Sequence, residues 1–109
     1  MLIAFDNRKI RNICEEEGEA LSELSDQVVI KLKSRLADLA AASSVKDIIV
    51  GNPSEITNNS RADYKVDLCD GYILIFAANH VNNPKLENGN IDWLNVKRIK
   101  ILEIKEPNE

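Results

Sequence analysis

A chain of 109 residues predicts one compact domain with a modest core, and argues against a substrate lid or a second domain. Its 44% apolar and 29% charged residues exclude the disordered and fibrous classes. A net charge of -4 and a pI near 5.0 exclude a surface that attracts nucleic acid as a whole, so any RNA contact must use a local patch.

Leu2-Ile3-Ala4-Phe5 reads as a short first strand. Asp6 or Asn7 can cap a helix running to about Glu17, with Ile10, Ile13, Cys14 and Leu21 on its buried face and Gly18 ending the regular part. Ser25 is the N-cap expected for a longer helix to about Ala42, in which Val28, Val29, Leu32, Leu36, Leu39 and Ala40 form a stripe at helical spacing. Lys31, Lys33, Arg35 and Asp38 on the other face, like the acidic run Glu15-Glu16-Glu17 with Glu19, read as solvated charge. Ser44 to Val50 can add one helical turn. Gly51-Asn52-Pro53-Ser54 and Thr57-Asn58-Asn59-Ser60 are dense in turn formers and predict an irregular connection.

From Ala62 to Cys69 the chain alternates, with Tyr64, Val66 and Leu68 on one face and Asp63, Lys65, Asp67 and Cys69 on the other. Asp70-Gly71 then joins this half-buried strand to the apolar run Tyr72 to Ala78. Asp-Gly between two such runs is a hairpin signal, because a primed turn needs positive φ and glycine adopts it without a side-chain clash. Asn79 to Asn90 reads as an exposed loop, and a last strand spans about Val96 to Lys105 with Ile99, Ile101, Leu102 and Ile104. The expected architecture is α+β: an antiparallel or mixed sheet with an N-terminal helical hairpin packed on one face, in the order βααβββ.

Two cysteines, Cys14 and Cys69, lie far apart without CxxC or Cys/His spacing, which predicts reduced thiols, no zinc site and no cofactor. There is no apolar run of about 18 residues, and the polar Asp6, Asn7 and Arg8 follow the first strand at once. That matches neither a membrane helix nor a secretory signal, and predicts a cytoplasmic protein with no membrane partner.

The order of elements carries a set of short pieces: Leu36-Ala37-Asp38-Leu39, Val50-Gly51-Asn52-Pro53, Tyr64-x-x-Asp67-Leu68, Gly71-Tyr72-x-Leu74-x-Phe76, Gly89-x-Ile91-Asp92-Trp93 and Val96-x-x-Ile99-x-Ile101. Together they resemble the RelE/ParE toxin superfamily, and more closely the HigB "killer protein" branch of type II toxin-antitoxin modules. The resemblance implies a HigA-like helix-turn-helix antitoxin as partner. It also implies metal-independent cleavage of messenger RNA on the ribosome, by basic and acid/base side chains on the concave face of the sheet. Such cleavage needs a group to activate the 2′-hydroxyl, cations for the pentavalent phosphate and a proton for the leaving oxygen.

The chain departs from the family at the positions that carry this chemistry. Aligned on Pro53 and Tyr64, the family's His-Pro-Leu-Lys-Gly-Asp-Arg-like loop falls on residues 54–60, with Ser54 at the usual histidine and Thr57 at the usual lysine. The hairpin arginine aligns with Ile73, and the terminal Asp-Tyr-His with Glu106-Pro107-Asn108. Losing one such group costs about two to four powers of ten in rate. An inactivated toxin retained for antitoxin binding and operon regulation, a toxin acting by contact, a ribonuclease with a relocated site, and a small interaction module outside the superfamily are the readings that follow.

Candidate substitutes for a relocated site are Arg61, Lys65 and His80. Arg61 can meet a phosphate or be a solvated strand-start charge, and Lys65 with Asp67 can line a site or pair in water. His80, the only histidine, can be a general base or a solvent-facing loop residue. Lys97, Arg98 and Lys100 form the densest basic group, able to touch RNA phosphate or an acidic partner, or to guard an edge strand by charge. Trp93 and Tyr64 can stack on bases or serve as buried anchors.

Overall fold

The first strand pairs with the last. In the computed structural model, which describes residues 1–58 and 61–107, Leu2–Phe5 (β1) lies parallel to Arg98–Lys105 (β5), with Ile3 opposite Ile99 and Phe5 opposite Ile101. Between them run Arg8–Glu15 (α1), Glu17–Glu23 (α2), Asp26–Ala41 (α3), Ser54–Asn58 (β2), Arg61–Asp67 (β3) and Ile73–Ala78 (β4). The sheet order is β1-β5-β4-β3-β2, antiparallel except for the β1–β5 pair. The architecture is α+β, and it differs from βααβββ by one break in the first helix and one added strand. No helix among the described residues is long and apolar enough to cross a membrane.

Asn7 caps α1, its Oδ1 accepting the Ile10 N–H at 2.9 Å. The helix stops at Glu15 because Glu16 is extended (φ -110°, ψ 109°). The Glu16 N–H closes α1 on the Asn12 carbonyl, while its own carbonyl opens α2 by accepting from Ala20. One extended residue re-phases the second segment, so Ala20 is buried, Leu21 is 46% exposed, and Gly18 lies inside α2 instead of ending the helix. Lys33 ties α2 to α3 with Nζ 2.6 Å from Glu17 Oε1, and that hydrogen bond, aided by the lysine charge, holds the Glu17 carboxyl below its ordinary range.

Ser25 caps α3 by accepting the Val28 N–H at 3.3 Å. Val28, Val29, Leu32 and Leu39 are buried, whereas Leu36 is half-buried and Ala40 exposed, so the stripe is narrower than its spacing suggests. At the other end of α3 the Met1 nitrogen donates to the carbonyls of Leu39 (3.4 Å), Ala40 (2.8 Å) and Ala42 (2.8 Å). Those acceptors have no partner within the helix, and the contact fixes β1 against it.

The β3–β4 connection is the expected primed turn: Asp70 and Gly71 have φ of 55° and 80°, and the Tyr72 N–H donates to the Cys69 carbonyl at 3.0 Å. Val66, Leu74, Phe76, Ile99 and Ile101 form the sheet side of the core, against Val28, Leu32 and Leu39. Between Ile75 and Phe76 the partner on β5 steps from Glu103 to Ile101, a bulge that turns Ile99, Ile101 and Ile104 to the same side.

Residues 54–58 are a strand and not part of an irregular connection, pairing antiparallel with β3 with Glu55 opposite Tyr64. An edge strand needs only one neighbour and tolerates polar residues, so its composition hides it. Asn59 and Ser60, in the same expected connection, lie outside the described residues. The long segment after β4 returns over β2 and β3, where Trp93 is 4% exposed, packs its ring 4.8 Å from that of Tyr64 and donates from Nε1 to Glu55 Oε2. Trp93 and Tyr64 are therefore anchors for each other, not a free stacking platform.

Leu32 and Leu39, 1% and 0% exposed, lie where truncation leaves a cavity. Leu32→Ala and Leu39→Ala are expected to cost about 2–5 kcal/mol each in denaturant unfolding, and Leu36→Ala less than either.

Candidate functional site

Strand alternation divides the sheet's side chains between a helix face and an open face. Tyr64, Val66, Leu74 and Phe76 belong to the helix face, so Arg61, Asp63, Lys65 and Asp67 of β3 and Ile73, Ile75 and Ala77 of β4 belong to the other. Through the cross-strand register, Ser54 and Ile56 of β2, Arg98, Lys100, Glu103 and Lys105 of β5, and Leu2 and Ala4 of β1 join the open face. Four of the six sequence-predicted residues, Arg61, Lys65, Arg98 and Lys100, are thus brought to one surface.

The face is ordered by ion pairs along and across strands. Arg61 donates from Nε (3.2 Å) and Nη2 (3.0 Å) to Asp63 Oδ2. The Asp63 side chain is 4% exposed against 64% for Arg61, and its Oδ1 is buried without a hydrogen-bond partner among the described residues. Lys65 Nζ stands 3.6 Å from Asp67 Oδ1, and Lys100 Nζ 3.6 Å from Asp6 Oδ1. Ile75 is buried on this face, opposite Lys65 on one side and Glu103 on the other, whose aliphatic stems can cover it while their charges reach water. The Lys65–Asp67 and Lys100–Asp6 pairs are open to water and contribute about 0–1 kcal/mol each, so they orient side chains more than they stabilise the fold, whereas Asp63 is buried and depends on Arg61 for its partner.

His80 and Lys97 stand apart from this surface. His80 follows β4, and its Nε2 accepts the Lys97 backbone N–H at 3.0 Å, which puts the neutral ring's proton on Nδ1 by hydrogen-bond geometry. Its backbone N–H donates to Asn83 Oδ1 at 2.9 Å. The Lys97 carbonyl in turn accepts the Leu2 N–H at 3.2 Å, so His80 and Lys97 together stitch the ends of β4, β5 and β1. Acting as a base through Nε2 requires that stitch to open. Lys97 precedes β5, and its side chain has no ion pair among the described residues. The edge-guard reading of Lys97, Arg98 and Lys100 fails, because β5 lies between β1 and β4.

Of the positions that the toxin resemblance singles out, Ser54 and Ile73 fall on the open face and Thr57 on the opposite parity of β2. Pro107 lies beyond β5, close enough to the turn that a Cβ on Gly71 would come within 2.7 Å of its ring. Asn108 lies outside the described residues. Asp63 is the residue that sequence reasoning undervalued: its alternation with Arg61 and Lys65 was legible, but its burial came from packing.

Cys14 supplies no nucleophile at this face. The Cys14 thiol is pushed up to about 12, chiefly by burial and secondarily by the Glu15 charge. Among the described residues no three His, Cys, Asp or Glu side chains stand together in a way that could hold a metal ion. Compared with protein-family models, curated proteins and solved structures, the chain matches none.

Cys14 is expected to be alkylated by iodoacetamide near neutral pH far more slowly than after denaturation, read by mass spectrometry, since the thiolate is the reactive form. The linkage has a definite sign: from 9.0, the ordinary value, to about 12, the unfolded chain releases the thiol proton and the folded chain retains it. Stability should therefore fall as pH rises through that window, and Cys14→Ala should remove this component of the slope.

Proposed function

We propose that this chain is the toxin-fold component of a type II toxin-antitoxin module similar to the HigB branch of the RelE/ParE superfamily. In this reading it binds a HigA-like helix-turn-helix antitoxin and lacks the family's messenger-cleaving activity. The observation that carries the reading is the composition of the open sheet face, the surface on which the resemblance expects the chemistry. Ser54 and Ile73 occupy it without charge, while Arg61 and Lys65 are held by Asp63 and Asp67. A cation already neutralised by a neighbouring carboxylate gives less to a pentavalent phosphate, and the one imidazole is engaged by the Lys97 backbone.

A relocated ribonuclease at Arg61, Lys65 and His80 is less well supported, since it needs the His80–Lys97 bond to open and Arg61 to leave Asp63. The ribosome and its messenger are in that reading the substrate, and in the binding reading they are not contacted productively. A small interaction module outside the superfamily shares the same face and is separated from the toxin reading by its partner.

Messenger cleavage in a translating bacterial extract is expected to be absent, or at least about a hundredfold slower than with an intact relative. Ile73→Arg alone should restore little, because groups that act as one site are strongly non-additive. Cleavage at an intact relative's rate would overturn the inactivation reading, and Arg61→Ala, Lys65→Ala and His80→Ala would then locate the site.

Induced expression with and without the adjacent coding sequence tests the module itself. A stable complex with a short helix-turn-helix product supports it, and failure of any such product to bind removes it. In that complex, reversing the charges of Lys97, Arg98 and Lys100 should slow association and flatten its salt dependence while leaving the melting curve nearly unchanged.

A further inference from the structure

A five-stranded open sheet has two edges, and here they differ in chemistry. β2 is Ser-Glu-Ile-Thr-Asn, polar and carrying a carboxylate, the kind of edge that resists pairing. β1 is Leu-Ile-Ala-Phe, without a charge, a proline or a register shift. The Leu2 N–H bonds the Lys97 carbonyl at 3.2 Å and the Asp6 N–H the Ile101 carbonyl at 2.9 Å. By parallel alternation the peptide groups of Leu2 and Ala4 face β5, and those of Ile3 and Phe5 face outward. An unpaired edge of this sort accepts an extended chain as a further strand.

The surroundings specify the chemistry of that chain. A cleft of about 420 Å³ is lined by β1 residues Ile3, Ala4 and Phe5 together with Asn7, Arg8 and Arg11. On the open face Arg98 stands in register with Leu2 and Lys100 with Ala4, and Lys100 already reaches the edge at Asp6. Arg8 and Arg98 are exposed and have no ion pair among the described residues. Arg8, Arg11, Arg98 and Lys100 are opposed locally by Asp6 and Glu15, an excess of positive charge at one edge of a chain whose net charge is -4. Such a field draws in an acidic partner and repels a like one.

We infer that the free edge of β1 is the docking strip for an extended acidic segment of a partner protein, which adds to the sheet as a sixth strand. Its backbone bonds the outward peptide groups of Ile3 and Phe5. Its aspartate or glutamate side chains meet Arg8 and Arg11 on one face, and Arg98 and Lys100 on the other. A second copy pairing through its own β1 would bring two such cationic clusters together, so charge disfavours it. The inference stands on the edge and its charges and does not depend on the toxin reading.

The test uses the full chain, isotopically labelled, titrated with a blocked peptide alternating glutamate with valine and with its lysine counterpart. Amide exchange at Ile3 and Phe5 should slow by about tenfold or more near saturation, while Leu2 and Ala4, already bonded, change little. Arg8→Glu with Arg98→Glu should weaken binding by about tenfold or more, Arg8→Gln with Arg98→Gln by less, and the lysine peptide should not bind. Three results overturn the inference: no binding of the glutamate peptide at millimolar concentration, binding that protects β2 amides in place of Ile3 and Phe5, or protection of Ile3 and Phe5 by protein concentration alone. The last assigns the edge to a second copy. None of these readings involves growth or messenger cleavage, so loss of the toxin reading leaves the test intact.

Discussion

The parallel pairing of β1 with β5 is the constraint on which the rest of the molecule depends. It joins segments from opposite ends of the described chain and makes β5 an interior strand. A parallel neighbour cannot be reached by a tight turn, so the chain between must cross over the sheet, and the helices of that crossover lie on one face. The Met1 nitrogen, bonded to carbonyls at the end of α3, fixes β1 to the helical layer, while Lys97 and His80 fix it to the strand ends. Contacts this distant in sequence cost loop entropy before they return any burial, and the buried Ile99 and Ile101 opposite Ile3 and Phe5 are what offset it.

With the helical layer on one side, the opposite face of the sheet mixes charged side chains with Leu2, Ile56, Ile73 and Ile75. Its cations are interleaved with carboxylates along β3, and the buried carboxylate of Asp63 is half satisfied by Arg61. Cations held in this way are less free to meet developing negative charge than unpaired ones. Toward β1 the balance changes, because Arg8 and Arg98 lack ion-pair partners among the described residues. The open face is therefore internally neutralised over β3, and the β1 edge is electropositive on both sides, with Arg98 on the open face and Arg8 on the helix side.

Local signals were legible wherever a short stretch of chain decides its own conformation. Ser25 and Asn7 cap helices because a side-chain oxygen two or three residues from an unpaired N–H is a local arrangement. Asp70-Gly71 makes its turn for a reason confined to its own backbone angles. The helical period of Val28, Val29, Leu32 and Leu39 and the alternation of Tyr64 and Val66 predicted their buried faces. The edge strand β2 was not legible, since it is held by pairing with β3, which the local pattern does not contain, and no glycine or proline marks the helix break at Glu16.

For the candidate site the division is the same. Sequence by itself determined the α+β class, the hairpin, the helical stripe and the lack of charge at Ser54, Thr57 and Ile73, because these follow from residue type and short spacing. Only the tertiary structure decided that Arg61, Lys65, Arg98 and Lys100 share a face, that His80 is engaged by Lys97, and that β1 rather than β5 is an edge. The reason is that strand order and register are set by burial summed over the whole sheet, and a one-residue shift in a strand would turn that strand's side chains to the other side.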